Sequence, residues 1–129
     1  MILVDTSIWI DHLHSANAIL VRLLGNGAVL GHPWVTGELA LGNLSRRDEV
    51  IGLLAALPQA TEARNDEVLR LIKQEALYGA GIGYVDAHLL AATRLTSDTT
   101  LWTRDRRLLV VAAHLGLDFQ PPPHSESPP

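Results

Sequence analysis

Four acids in this chain, Asp5, Glu38, Asp86 and Asp105, carry more chemical information than the others because of what surrounds them. "MILVDTSIWI" runs an apolar segment straight into Asp5 and then into Thr6 and Ser7. "LWTRDRRL" does much the same near the other end, with Thr103 just ahead of Asp105. In "WVTGELALGNL", Glu38 lies at helical spacing from Trp34 and Val35 on one side and from Leu41 and Gly42 on the other. In "GIGYVDAHLL", Asp86 shares a helix face with Leu89 and Leu90. Neither reads as a residue on a solvated face. A desolvated carboxylate is costly unless it is paired, metal-bound or protonated. Four such acids in one cleft could not all ionise unaided. An oxygen-seeking divalent cation, Mg²⁺ or Mn²⁺, would resolve the conflict.

Each acid also has a plainer reading. Asp5 could cap a helix, and so could Asp105 ahead of "RRLLVV". Asp86 could be a first-turn acid favoured by the helix dipole. Glu38 could pair with Arg46 or Arg47. Their joint placement is stronger than any one of them. Two follow strand-like segments and two lie on otherwise apolar helix faces, and ligands of open α/β sheets bind beyond the carboxyl ends of the strands.

The elements that must position these acids follow from the pattern. "ILV" at 2–4 reads as a strand buried on both faces. A helix follows from "DTSIWIDHLH", with Thr6 or Ser7 as its N-cap, and another from "ANAILVRLLGNG", ended by glycines. "AVLG" at 28–31 is a second short strand, and Pro33 opens the helix that holds Glu38. "RRDEVIGLLAALP" is a helix stopped by Pro58, and Asn65 with Asp66 and Glu67 starts the next. "YGAGIG" at 78–83 is a glycine-rich break before the helix that carries Asp86. "LW" at 101–102, with or without Thr103, is a strand, followed by a helix and a last candidate strand, "LDF". Strands alternating with helical pairs predict an α/β domain of three layers, α/β/α, with a central, mostly parallel sheet of about four or five short strands. The domain is expected over residues 1–120. The tail over 121–129, "PPPHSESPP", is proline- and serine-rich and expected to be disordered.

Bulk composition excludes several classes. The 129 residues make one domain. No apolar run approaches the roughly 18 residues that span a bilayer, and no signal peptide is evident. Disulfides, thiolate zinc sites and cysteine nucleophiles are excluded, because there is no cysteine. A cytoplasmic protein without membrane contact is the expectation. The net charge of −4 argues against a generic polycationic nucleic-acid binder, though not against a nuclease built on acids. Lys73 is the only lysine, so the basic residues are nearly all arginine, which suits forked phosphate contacts. Arg104, Arg106 and Arg107 flank Asp105 and are candidates for RNA-phosphate contacts, unless they only solvate a helix face. Trp9 and Leu13, four apart beside Asp5, are either core or part of a groove for a partner.

"ILVDTSIWI", "GELALGNL", "GIGYVDAHLLAAT" and "LWTRDRRL", taken together in this order and spacing, resemble the PIN-domain ribonucleases, and among these the VapC toxins of toxin–antitoxin pairs. The resemblance runs from residue 1 to about 118. It implies a PIN-like fold whose acid cluster, here Asp5, Glu38, Asp86 and Asp105, binds Mg²⁺ or Mn²⁺ and hydrolyses RNA such as transfer or ribosomal RNA. Ser7 and Thr103 match hydroxyl positions of the family and are expected to orient carboxylates or water. The resemblance further implies inhibition by a cognate VapB antitoxin and a homodimer. The rival readings are a non-catalytic PIN scaffold that binds RNA or protein, and a housekeeping PIN nuclease without an antitoxin.

Overall fold

The computed structural model describes residues 1–122, so the expectation for the proline- and serine-rich tail falls almost wholly outside the described residues. The elements run β1 (Ile2–Val4), α1 (Thr6–His14), α2 (Ala18–Gly25), β2 (Val29–Leu30), α3 (Pro33–Ala40), α4 (Arg47–Ala56), α5 (Asn65–Gln74), α6 (Tyr84–Leu95), β3 (Thr100–Trp102) and α7 (Arg106–His114). The strands form one parallel sheet in the order β2-β1-β3.

Both faces of β1 are covered. Leu3 and Val4 point to opposite faces, as successive strand residues must, and both are fully buried. Leu101 and Trp102 repeat this in β3. A parallel sheet reached through helical crossovers is buried in this way, which is why "ILV" carries no polar alternation. The helix α6 is the main buried support. Every residue from Ala87 to Thr93 is buried, so it is enclosed nearly all round rather than along one stripe. It packs against α5 and β3, while α3 packs against α1 and α4.

The sheet is shorter than the four or five strands expected. Three segments form continuous ladders, and the two others meet the sheet at one residue each. Gly31 bridges Gln59 in parallel, and Leu101 bridges Asp118. Gly31 donates to Pro58 and accepts from Ala60, while Leu101 donates to Leu117 and accepts from Phe119. On the Gln59 side, Pro58 has no N–H to extend the pairing. "LDF" is therefore an edge contact and not a strand. Among the described residues no helix is long and apolar enough to cross a membrane.

The parallel register is what assembles the site. Val4 pairs with Trp102, so the chain leaves β1 as Asp5 beside the point where it leaves β3 as Thr103. Asp5 still donates its N–H to Trp102 O at 2.9 Å. Segments nearly a hundred residues apart thus emerge at one carboxyl edge.

Candidate active site

Asp5 is buried at 6% exposure and both its oxygens are occupied. Oδ1 accepts from Thr6 N–H at 2.7 Å, which makes Asp5 the N-cap of α1. The expectation that Thr6 or Ser7 would cap is therefore corrected, because the extended backbone of the cap falls on the residue that leaves the strand. Oδ2 accepts from Ser7 Oγ at 2.8 Å and from Thr103 Oγ1 at 2.7 Å. Each hydroxyl also accepts. Ser7 Oγ takes Arg104 N–H at 3.1 Å, and Thr103 Oγ1 takes Asp105 N–H at 3.0 Å. The two hydroxyls thus tie the start of α1 to the segment after β3.

The other three acids are each held by one oxygen. Glu38 Oε1 accepts from Thr6 Oγ1 at 2.7 Å. Asp86 Oδ2 accepts from Gly83 N–H at 3.0 Å across the first turn of α6. Asp105 Oδ1 accepts from Leu108 N–H at 3.0 Å and caps α7. Glu38 Oε2, Asp86 Oδ1 and Asp105 Oδ2 have no such bond among the described residues. The capping readings of Asp5, Asp86 and Asp105 are therefore correct as far as they go, and they spend only part of each carboxylate. Glu38 does not pair with Arg46 or Arg47. It is also exposed, not shielded as its apolar neighbours suggested, and Asp105 is exposed too, while Asp86 is half-buried.

The four acids share one electrostatic field. Burial pushes the Asp86 carboxyl above its usual value; the Gly83 N–H opposes this, and the charges of Asp5, Asp105 and Glu38 push it higher. Among the described residues no three His, Cys, Asp or Glu side chains close up into a ready-made metal-ligand group. The donor set still fits Mg²⁺ or Mn²⁺. It offers only hard oxygens, and Mg²⁺ is commonly held by one or two carboxylates with water completing the shell.

The arginines separate. Arg104 pairs with Asp11, side chain to side chain, at the mouth of the site. Arg106 is exposed. Arg107 lies across Gly81 in the glycine-rich loop before α6.

Two features escaped the sequence reading. Thr6 was expected to do no more than cap, yet it donates to Glu38, thirty-two positions away. α5 begins at Asn65 as expected, with Arg64 as its N-cap, but the Asn65 side chain does more than start the helix. Asn65 Oδ1 accepts from Tyr84 Oη at 3.1 Å and lies 3.0 Å from His88 Nε2. His88 is sandwiched by Trp34, 4.0 Å between ring centres, and Tyr84 edge-on at 4.8 Å. The signal in the sequence was the pairing of Tyr84 with His88 at i,i+4 on the helix of Asp86.

A parallel three-layer domain with acids at the carboxyl edge of its central strands defines a nuclease-like α/β protein of the PIN type. No family model matches the chain. Over 117 residues it is 50% identical to Ribonuclease VapC32 of Mycobacterium tuberculosis, in the strains CDC 1551 / Oshkosh and ATCC 25618 / H37Rv, covering 91% of this chain and 94% of the relative. The chain belongs to the VapC family of PIN-domain ribonucleases.

Proposed function

We propose that this protein is a Mg²⁺- or Mn²⁺-dependent endoribonuclease that hydrolyses phosphodiesters of structured RNA, such as transfer or ribosomal RNA, and arrests growth as the toxin of a VapBC pair. The observation that carries the proposal is the division of labour on the acids. Glu38, Asp86 and Asp105 are each fixed by one oxygen and keep the other available. Carboxylates oriented this way make better ligands than free ones, because their rotamers are set before the ligand arrives.

Glu38, Asp86 and Asp105, with Asp5 behind them, would hold the cation. When bound there, it supplies Lewis-acid polarisation of the phosphodiester and makes a water acidic near neutral pH. Asp5 fixes the start of α1 and receives both hydroxyls. Ser7 and Thr103 set the approach of the Arg104–Asp105 backbone. Attack by water, not by the ribose 2′-hydroxyl, leaves a 5′-phosphate and a 3′-hydroxyl.

A VapB-type antitoxin is the inhibitor this reading calls for. An apolar cavity of about 310 Å³ between α1, α2 and α4 includes Trp9, Leu13, Leu24 and Leu53, and it supports the groove reading of Trp9 and Leu13. Trp9 itself is buried, so it belongs to the core as well. A homodimer is part of the same proposal.

Growth tests the toxin claim. Induced expression should arrest growth, and co-expression of a VapB-type protein, if the neighbouring reading frame encodes one, should relieve the arrest. A protein of normal abundance that leaves growth unaffected would favour the scaffold reading. Arrest that the neighbour does not relieve would favour a nuclease without an antitoxin.

A further inference from the structure

From the seating of Arg107 on Gly81 we infer that these two residues and the cleft beside them form a subsite for one nucleotide flanking the cleaved bond: the guanidinium takes a phosphate and the cleft takes the base. The inference rests on the ribonuclease reading and adds to it where the RNA lies.

Gly81 has φ +81°, a conformation that side-chain-bearing residues rarely adopt. A side chain there would also displace the end of Arg107. A Cβ there would stand 2.8 Å from Arg107 Cδ, 2.9 Å from Nη1 and 3.2 Å from Nε. The arginine side chain therefore lies against bare backbone. Along the chain Arg107 is two residues past Asp105. Across space it touches the glycine-rich loop that leads into α6, the helix that carries Asp86. It thus joins the segment that follows Asp105 to the loop that precedes the helix of Asp86. Arg107 forms no ion pair among the described residues, as is also true of Arg22, Arg46, Arg47, Arg70 and Arg106; what sets it apart is its seat against Gly81. A positioned guanidinium without a carboxylate partner suits an incoming phosphate, which its fork can grip at two oxygens.

Gly81 also lines a cleft of about 270 Å³, with Ile72, Leu77 and Ala87 among its walls and Tyr78 and Tyr84 lining it too. The tyrosines are 73% and 41% exposed. Apolar walls with exposed aromatic rings suit a nucleobase, which presents flat faces for stacking and a polar edge to water. In a chain of net charge −4 with a single lysine, stacking and one fixed arginine can supply the grip that a basic surface supplies elsewhere.

The test uses the full chain with total transfer RNA for cleavage and a short fluorescein-labelled single-stranded RNA for binding. Arg107→Ala should raise KM about tenfold with kcat within about twofold, weaken probe binding to match, and lower the salt slope of binding by about one. Gly81→Ala should act in the same direction, and the double variant should be no worse than Arg107→Ala alone. Should Gly81→Ala fail to fold, Arg107→Lys replaces it and should recover only part of the binding, since it keeps charge without the fork. Arg94→Ala, paired with Glu75, is the control and should change neither constant. Unchanged KM and probe affinity in Arg107→Ala, with the wild type cleaving normally, would overturn the subsite and leave the ribonuclease reading standing. A fall in kcat alone would overturn it too. If the wild type cleaves no RNA, the ribonuclease reading fails, and loss of probe binding in Arg107→Ala still decides the subsite.

Discussion

Thr103 donates its hydroxyl proton to Asp5 Oδ2 at 2.7 Å, joining residues ninety-eight positions apart at the carboxyl edge of adjacent parallel strands. Thr103 Oγ1 in turn accepts from Asp105 N–H. One hydroxyl therefore fixes two acids. Thr103→Val keeps the shape and leaves a buried carboxylate and a backbone N–H each short of a partner. Stability in denaturant should fall by about 1–3 kcal/mol, and kcat on RNA should fall on the order of tenfold. Thr103→Ser should restore most of both. Full activity in the valine variant would show that the bond is structural only.

Asp86 gives a prediction of opposite sign for stability. Its carboxyl titrates above the ordinary 3.8, so the native state holds this proton more tightly than the unfolded chain does. That contribution is present below pH 3.8 and is lost as pH rises through the raised native value. At neutral pH the ionised carboxylate is therefore a cost. Asp86→Asn removes the charge and keeps an oxygen for Gly83 N–H. Its Tm at pH 7 should rise by a few degrees, on the order expected for relief of an active-site strain, with the gain vanishing near pH 4. Cleavage should be lost in the same variant. A lower Tm at pH 7 would mean that Asp86 stabilises the fold rather than the chemistry.

Divalent metal should stabilise the native state only where the acids are intact. Mn²⁺ at about a hundred times its dissociation constant should add about 2.7 kcal/mol to wild-type stability. Asp5→Asn and Asp86→Asn should lose most of this shift. Equal shifts in wild type and both variants, read by thermal melting with and without chelator, would place the cation elsewhere.

His32 sets a pH dependence of its own. It is fully buried, and its Nδ1 accepts from Trp34 N–H, capping α3. Burial lowers its pKa below 6.5, with Glu62 opposing and His88 adding to the shift. The unfolded chain takes up the proton first on acidification, so this contribution is full above pH 6.5 and is lost as pH falls toward the native pKa. The slope for this single group cannot exceed about 1.4 kcal/mol per pH unit. His32→Asn preserves a capping oxygen and should flatten the pH 5–6.5 limb of the denaturant midpoint curve. An unaltered limb would assign the dependence to other groups, such as His12, which burial shifts the same way.

Much of this was legible along the chain, for identifiable reasons. Pro33 and Pro58 mark helix boundaries because neither ring fits the preceding geometry, and the 78–83 break is explicit in its glycines. The apolar run into Asp5 placed the first acid at the sheet edge. What was not legible depends on partners distant in sequence. Thr6 reaches Glu38 only because α1 and α3 pack together. Asp5 takes the cap from Thr6 because the strand pairing holds its backbone extended. Glu38 looks shielded among apolar neighbours in sequence, yet its side chain is exposed and meets Thr6 of α1. Gln59 and Asp118 pair for a single residue each, too briefly for any period to reveal.

Cleavage of RNA by the purified protein, with the product ends identified, tests the central claim most directly. With Mg²⁺ or Mn²⁺ present, the wild type should yield 5′-phosphate and 3′-hydroxyl ends, and chelation should stop the reaction. Asp5→Asn and Asp86→Asn should remain folded by circular dichroism and cleave nothing. Products ending in 2′,3′-cyclic phosphate, or an unchanged rate in both folded variants, would contradict the account.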